Sequence, residues 1–301
     1  MSVDINHFFE MRGARVPLVG LGTWPLRGRA CVDIVEQALR LGYRHIDTAE
    51  LYENEIEVGE GLRASGVRRD EIFVTTKIGP SHFAPLEFER AAKDSLTRLR
   101  LSEVDLLLLH WPRSQVPFSE TVGALCAAKR AGLTRFIGVS NFTAVDIREA
   151  VQHATEPLVC DQIEMNSYRD QAEVTAVCRE HGMAVVAYSP IARGDANGDA
   201  ILARIGRVYG KTCAQVSLRW LVQQGIPVIP RTSRKERLFE NYAIFDFELS
   251  VAEMSEISSI ARRRERIRKF MAPLREFAHK ALPRPATNFL RTLRRQATGW
   301  W

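Results

Sequence analysis

Four side chains of different chemistry follow one another in the first part of the chain: a carboxylate, a phenol, an ammonium and an imidazole. Asp47 and Tyr52 lie in HIDTAELY, Lys77 ends FVTTK, and His110 follows the apolar segment LLLL. A phenol can give a proton to a carbonyl oxygen, and a neighbouring cation lowers the pKa of the phenol. The carboxylate can hold the ammonium and the imidazole can orient the carbonyl, so the set predicts proton donation to a carbonyl group.

Each of these residues also has a simple structural explanation when it is taken alone. Asp47 could cap the following helix, Lys77 could be a solvated strand end, and His110 could be a hydrogen-bonded core histidine. Tyr52 could be an aromatic residue of the surface. Three of the four close a predicted strand and Tyr52 lies in the turn after one, so their joint placement favours one shared site.

The elements that must position these residues are visible as eight short apolar segments. They read PLVGLG, YRHID, IFVTTK, VDLLLLH, RFIGVS, LVCDQIEM, AVVAYS and IPVIP, and they end near residues 22, 47, 77, 110, 140, 165, 189 and 230. A strand with its crossover helix needs about 30 residues, which is close to most of these intervals. Segments that are apolar nearly throughout are typical of parallel strands covered on both faces.

Helical patterns lie between the strand segments. They span about 32–41, 87–100, 121–131, 171–180, 200–208 and 212–224, and Thr143 is placed to cap another helix. The alternation predicts an α/β fold, a (β/α)8 TIM barrel. FFEMRGARVPLV has hairpin spacing and predicts an N-terminal β-hairpin that could close the barrel floor. A doubly wound nucleotide-binding fold is disfavoured, because Gly20-Leu21-Gly22 has no third glycine and no immediate helix after it.

Composition limits the class of protein. The 301 residues are 46% hydrophobic and 26% charged, which is ordinary for a globular enzyme. The five cysteines are scattered without a CxxC pair, and no histidine or cysteine cluster has metal-ligand spacing. The N-terminus has no apolar stretch behind a basic start. We therefore expect a cytoplasmic enzyme without a metal.

The net charge of +6 belongs to the end of the chain. Residues 261–301 hold twelve Lys and Arg but only two Asp and Glu, so the first 260 residues are slightly acidic. We therefore predict a barrel over residues 1–260, no nucleic-acid binding, and an atypical basic C-terminal tail over 261–301. The tail could be a basic amphipathic helix that lies on a membrane surface, although packing on the barrel or partial disorder is favoured.

Several motifs together resemble the aldo-keto reductase family, especially its bacterial 2,5-diketogluconate reductase-like members. They are GLGTW, HIDTAELY, TTK, LLLLHWP, FIGVSNF, QIEMN, AYSP and IPRTS, and they follow the family order over about residues 10–260. The resemblance implies NADPH-dependent reduction of an aldehyde or ketone to an alcohol. The nicotinamide would give the hydride and Tyr52 the proton, on a small-molecule carbonyl substrate. A cofactor-binding regulatory subunit with little turnover is the alternative, and a monomer or weak homo-oligomer is expected.

The resemblance also implies site residues by position. One set would bind the cofactor, from the nicotinamide carboxamide and ring through the pyrophosphate to the 2′-phosphate end. It consists of Gly22, Thr23, Trp24, Asp47, Ser140, Asn141, Gln162, Tyr188, Ser189, Ile191, Arg193, Gly194, Arg231, Thr232, Ser233, Arg237, Glu240 and Asn241.

The substrate pocket would be lined by Trp24, Tyr52, His110 and Trp111. Two positions depart from the family pattern. Gly79 stands where a tryptophan is common, which suggests a wider or more mobile pocket. Arg231 stands where lysine is common, and arginine can still bind a phosphate through two hydrogen bonds.

Overall fold

A two-stranded hairpin precedes the barrel in the computed structural model, which describes residues 8–112, 115–169 and 171–262. Strands β1 (Phe8–Met11) and β2 (Ala14–Pro17) pair antiparallel around Arg12 and Gly13, both of which have positive φ. Side chains of the hairpin pack in one cluster with residues of the barrel strands; they are Met11, Ala14 and Val16. The hairpin therefore closes the floor of the barrel, as the sequence indicated.

Eight parallel strands form a single sheet in chain order. Each observed strand ends within one residue of its predicted end, so the predicted (β/α)8 barrel is confirmed. The strands are β3 (Leu21–Gly22), β4 (His45–Asp47), β5 (Phe73–Ile78), β6 (Val104–Leu109), β7 (Thr134–Ser140), β8 (Leu158–Glu164), β9 (Ala184–Tyr188) and β10 (Val228–Ile229).

The sheet closes on itself between its first and last strands. The backbone N–H of Gly20 donates to the carbonyl of Val228 at 2.8 Å, and that of Gly22 donates to Pro230 at 3.1 Å. Gly22 also forms a parallel bridge with Arg231. A closed sheet leaves no exposed edge, and it brings all eight carboxyl ends to one rim.

Helices cover the outside of the sheet. They are α1 (Gly28–Leu41), α2 (Glu55–Ala64), α3 (Pro85–Leu99), α4 (Phe118–Arg130), α5 (Ala144–His153), α6 (Ala172–Glu180), α7 (Ala200–Tyr209), α8 (Cys213–Val222) and α9 (Lys235–Tyr242).

Local sequence signals explain several helix ends. Thr143 forms the capping box of α5 with Asp146, as predicted, and Gly42 ends α1 with a φ of 110°. Residues 251–262, the last described, are also helical, while the tail from residue 263 onward lies outside the described residues. Within the described ranges, no helix is both long and apolar enough to cross a bilayer.

Helix α2 is not among the helices predicted from the sequence, and its interior carries two glycines, which disfavour isolated helices. The structure shows why they stand there. A Cβ on Gly59 would lie 2.4 Å from the carbonyl oxygen of Leu99, and a Cβ on Gly61 would lie 2.7 Å from Cβ of Val35. The two glycines therefore allow α2 to pack directly against the end of α3 and the face of α1.

We expect Gly59→Ala to destabilise the barrel by about 1–3 kcal/mol, the usual cost of overpacking, because the methyl group meets backbone rather than a mobile side chain. Gly123→Ala is the matched control, since Gly123 lies inside α4 and its added Cβ would meet nothing within 4 Å beyond its chain neighbours and its own helix backbone. That change should be neutral or stabilising by about 0.5–1 kcal/mol. Urea unfolding of both variants measures the difference, and equal stabilities would contradict the packing argument.

Candidate active site

The four chemically distinct side chains meet at the rim formed by the carboxyl ends of the strands. Asp47 ends β4, Lys77 lies near the end of β5, and His110 directly follows β6. Tyr52 ends a short 3-10 turn, Glu50–Tyr52, that follows β4. The Lys77 Nζ lies 3.4 Å from the Tyr52 hydroxyl and 4.9 Å from the centre of its ring. The structure therefore brings the predicted set together.

A buried ion pair forms the base of this site. The Lys77 Nζ donates to Oδ1 of Asp47 at 2.6 Å and to the carbonyl of Thr48 at 2.8 Å. The second oxygen of Asp47 accepts from the side-chain amide of Gln162, on the far side of the barrel, at 2.7 Å. Both charged side chains are at most 2% exposed. Buried charges are tolerated only with such partners, so the pair is held in one geometry.

The charge state of the site follows from burial and from this pair. Burial alone would lower the pKa of Lys77, but Asp47 and Tyr52 raise that pKa above its ordinary value, so the ammonium stays charged. Burial raises the pKa of Tyr52, and the nearby Lys77 opposes this rise without cancelling it. The net shift of this pKa is upward, opposite to the lowering that the lysine alone predicts. The phenol is therefore protonated at neutral pH, as a proton donor must be.

His110 is a neutral imidazole beside this phenol. Its ring meets the ring of Tyr52 edge-on at 5.6 Å between centroids, and it stacks on Trp111 at 6.3 Å. Burial, and then the charge of Lys77, lowers the pKa of His110 to about 3. Its Nδ1 atom is buried without a hydrogen-bond partner among the described residues. A neutral ring can donate a hydrogen bond to a carbonyl oxygen without competing as an acid.

The residues predicted to hold a carboxamide form one hydrogen-bond network next to the site. The Ser140 hydroxyl donates to the carbonyl of Gln162 at 2.8 Å, and the Asn141 amide donates to the carbonyl of His110 at 3.1 Å. The Tyr188 hydroxyl donates to the side-chain oxygen of Asn141 at 2.7 Å. Three neighbouring strand ends, β7, β8 and β9, thus present amide and hydroxyl groups beside the phenol.

A loop rich in left-handed backbone follows Tyr188. Ser189, Ala192 and Arg193 have φ near 50°, and Gly194 has a φ of 103°. The Arg193 guanidinium lies over the ring of Trp24, 5.7 Å from its centre. This contact joins the loop after β9 to the loop after β3 across the barrel rim.

The remaining predicted cofactor positions lie at the ends of β3 and β10 and in helix α9. Gly22, which Thr23 and Trp24 follow, forms a parallel bridge with Arg231. Thr232 and Asn241 are both buried. The guanidinium groups of Arg231 and Arg237 form no ion pair within residues 8–112, 115–169 and 171–262. Two uncommitted cations suit an anionic group. Among these positions Glu240 is already engaged, because its carboxylate accepts a 2.7 Å hydrogen bond from the Thr212 hydroxyl.

The mouth of the site is apolar. Trp24 is 51% exposed, Leu51 is 48% exposed and Trp111 is 45% exposed. The space beside Gly79 is filled, since a Cβ there would lie 2.9 Å from Cδ2 of Leu51. The missing side chain at position 79 therefore does not leave an open gap on that side.

Asn54 was not predicted from the sequence, and it holds the loops around the site through buried hydrogen bonds. Its side-chain oxygen accepts from the Thr48 hydroxyl at 2.8 Å, and its amide donates to the carbonyls of Thr23 and Leu26 at 3.1 and 3.0 Å. Asn54 is fully buried, and an asparagine two residues after Tyr52 was the only available signal. It ties the loop after β3 to the turn that carries the phenol.

The chain is similar to known proteins along most of its length. The sequence profile of the Aldo/keto reductase family matches residues 18–262. Methylglyoxal reductase DkgB of Yersinia pestis is 37% identical over 250 residues, which cover 82% of this chain and 94% of that protein.

Solved structures agree with this similarity. A protein proposed to be a 2,5-diketo-D-gluconic acid reductase B superimposes with a TM-score of 0.83 at 42% identity, covering 84% of this chain and 91% of that one. A Bombyx mori aldo-keto reductase in complex with NADP gives a TM-score of 0.79 at 33% identity, covering 84% of this chain and 92% of that one.

We expect the rings of His45 and His110 to stay neutral from pH 8 down to pH 5, because burial lowers the pKa of each to about 3. Their NMR ring signals, assigned with single histidine variants, should not shift over this range. Each ring takes up a proton when the chain unfolds at a pH below its ordinary pKa of ~6.5. The contribution of the neutral rings to native stability is therefore intact above that pH. It then falls toward pH 3 by up to ~1.4 kcal/mol per pH unit for each ring. A midpoint near pH 6.5 for either ring would contradict this assignment.

Proposed function

Since the chain belongs to the aldo/keto reductase family, we propose that it reduces an aldehyde or ketone to an alcohol with NADPH. One observation carries this proposal: a protonated phenol lies beside a buried, charged ammonium and a neutral imidazole at the rim of the barrel. That arrangement suits proton donation to a carbonyl oxygen, which is half of a carbonyl reduction. NADPH, when bound, supplies the hydride for the other half.

Residues of this chain fit such a cofactor at two places. Ser140 and Asn141 offer amide and hydroxyl groups for a carboxamide beside Tyr52, and Tyr188 offers an aromatic ring next to them. At the other end, Arg231 and Arg237 offer guanidinium groups that no carboxylate of the described residues neutralises. We assign these residues to the nicotinamide end and to the 2′-phosphate end respectively.

Tyr52 would act as the proton donor. As negative charge develops on the carbonyl oxygen, the hydroxyl of Tyr52 transfers its proton to that oxygen. The charged Lys77 then stabilises the phenolate that remains, and Asp47 keeps the lysine charged in its buried position. The proton donor, its cation and the cation's carboxylate form one continuous chain of contacts.

His110 would orient the substrate. It is neutral and faces the Tyr52 ring, so it can share the carbonyl oxygen with the phenol without giving up a proton of its own. The exposed rings of Trp24 and Trp111 form apolar walls around this point. Small oxo-aldehydes such as methylglyoxal, named for one relative, and 2,5-diketogluconate, named for another, are the first substrates to compare.

The alternative of a regulatory subunit with little turnover is disfavoured by the completeness of this site. A protein that only senses the cofactor has no need of a proton donor with its own buried ion pair. Steady consumption of NADPH with a simple aldehyde would separate the two functions.

We expect Tyr52→Phe to lower kcat and kcat/KM alike, by about 10²–10⁴-fold, because the hydroxyl acts in the transition state. NADPH affinity should stay close to that of the wild type, since the ring remains. Stopped-flow oxidation of NADPH measures the first effect and fluorescence titration the second. A variant within about tenfold of wild-type activity would remove Tyr52 from the proposed role.

We expect Arg237→Ala to weaken NADPH binding much more than NADH binding. A guanidinium bonded to the 2′-phosphate contributes about 1.5–3 kcal/mol per charged hydrogen bond, which NADH cannot receive. Dissociation constants for both cofactors measure the ratio, and Arg234→Ala, which removes a neighbouring arginine, is the matched control. Equal weakening of NADPH and NADH would show that Arg237 does not contact the phosphate.

A further inference from the structure

A carboxylate outside the proposed set of reacting groups links the two elements that carry Tyr52 and Lys77. Glu50 begins the 3-10 turn that Tyr52 ends. Its Oε2 accepts the backbone N–H of Gly79 at 3.0 Å, and its Oε1 contacts Nδ1 of His82 at 2.6 Å. An ionised carboxylate only accepts hydrogen bonds, so the His82 ring carries its hydrogen on Nδ1.

These contacts close a ring of short connections around the phenol. Glu50 is two residues before Tyr52, whose hydroxyl lies 3.4 Å from the Lys77 Nζ. Lys77 is two residues before Gly79, which returns to Glu50 by the 3.0 Å hydrogen bond. The turn that carries the phenol and the strand that carries the ammonium are therefore joined by two contacts, one at Tyr52 and one at Glu50.

Two further features indicate that this ring holds the turn in place. The Glu50 side chain is only 13% exposed, so its carboxylate contacts the loop after β5 rather than solvent. Leu51, the middle residue of the turn, packs on Gly79 so closely that an added Cβ would lie 3.0 Å from its Cγ. The turn and the loop thus meet through a polar contact and an apolar one.

The Tyr52 hydroxyl itself has a long contact with Lys77, at 3.4 Å, compared with 2.6 Å between Lys77 and Asp47. The lysine alone therefore fixes the phenol weakly. We propose that Glu50 is a positioning residue for Tyr52: its carboxylate fastens the turn that carries the phenol to the loop that follows Lys77. This inference rests on the proposed role of Tyr52 as the proton donor.

The first test compares three variants of the turn. Glu50→Ala removes both contacts and should lower the single-turnover rate of NADPH oxidation by about 10–100-fold, since a misplacement near 1 Å costs about 10² in rate. Glu50→Gln should stay within about 3-fold, because its amide oxygen can still accept from Gly79 and the His82 ring can change tautomer to accept from the amide nitrogen. Glu53→Ala removes a glutamate that is 75% exposed and paired with Arg27, and it should leave the rate unchanged.

The second test asks whether Glu50 acts through the phenol. In a Tyr52→Phe background there is no hydroxyl to position, so adding Glu50→Ala should lower the rate by less than about 2-fold further. A full additional loss in that background would overturn the proposal, because Glu50 would then act on something else. If Tyr52→Phe alone kept its activity, the proposed function would fail, and the two failures are thus distinct.

The third test does not depend on activity. Crystal structures of Glu50→Ala and Glu50→Gln should show the Tyr52 hydroxyl moved out of hydrogen-bond range of Lys77 in the first and kept in the second. NADPH dissociation constants should be unchanged in both. An unmoved phenol in Glu50→Ala would overturn the proposal.

If Glu50→Ala does not fold, His82→Phe provides the test. It keeps an aromatic ring at the edge of the loop and removes the hydrogen bond to Glu50, while the hydrogen bond from Gly79 to Glu50 can still form. We expect a rate loss of about 3–10-fold that disappears in the Tyr52→Phe background. A loss of the same size in both backgrounds would overturn the proposal.

Discussion

The ion pair between Lys77 and Asp47 is the interaction on which the rest of the site depends. Both charges are buried, and each would cost several kcal/mol if its partners were removed. The structure supplies those partners from different strands: a backbone carbonyl at Thr48, and the amide of Gln162 from the other side of the barrel. The closed sheet places β8 opposite β4, so the ion pair at the ends of β4 and β5 receives a hydrogen bond from the opposite wall of the barrel.

Much of the fold could be predicted from the sequence, because buried parallel strands appear there as apolar segments at regular intervals. Their apolar segments recur at the length of one strand and one helix, and their carboxyl ends meet at one rim. Knowing where β4, β5 and β6 end was therefore enough to place Asp47, Lys77 and His110 together. The family motifs then identified the positions for a cofactor, whose individual contacts remain proposals.

Other features had no local signal. The pairing of Gln162 with Asp47 joins residues more than a hundred positions apart and depends on how the barrel strands are staggered. Helix α2 contains Gly59 and Gly61, which lower the helix propensity of the segment. Close packing against the neighbouring helices requires both glycines. The pKa of Tyr52 results from burial opposed by a cation, and a sequence shows the cation but not the burial. The boundary near residue 260 and the tail remain predictions.

The closure of the barrel between Gly20, Gly22 and Val228 has a consequence for synthesis of the chain. The two sides of this seam are about two hundred residues apart, so the first strand leaves the ribosome long before its partner exists. At about 5–20 residues per second, the delay is roughly 10–40 s. During that time the backbone groups of the first strand form an open edge, to which another nascent chain could pair. Until the last strand has been made, this edge therefore stays available for pairing with another chain.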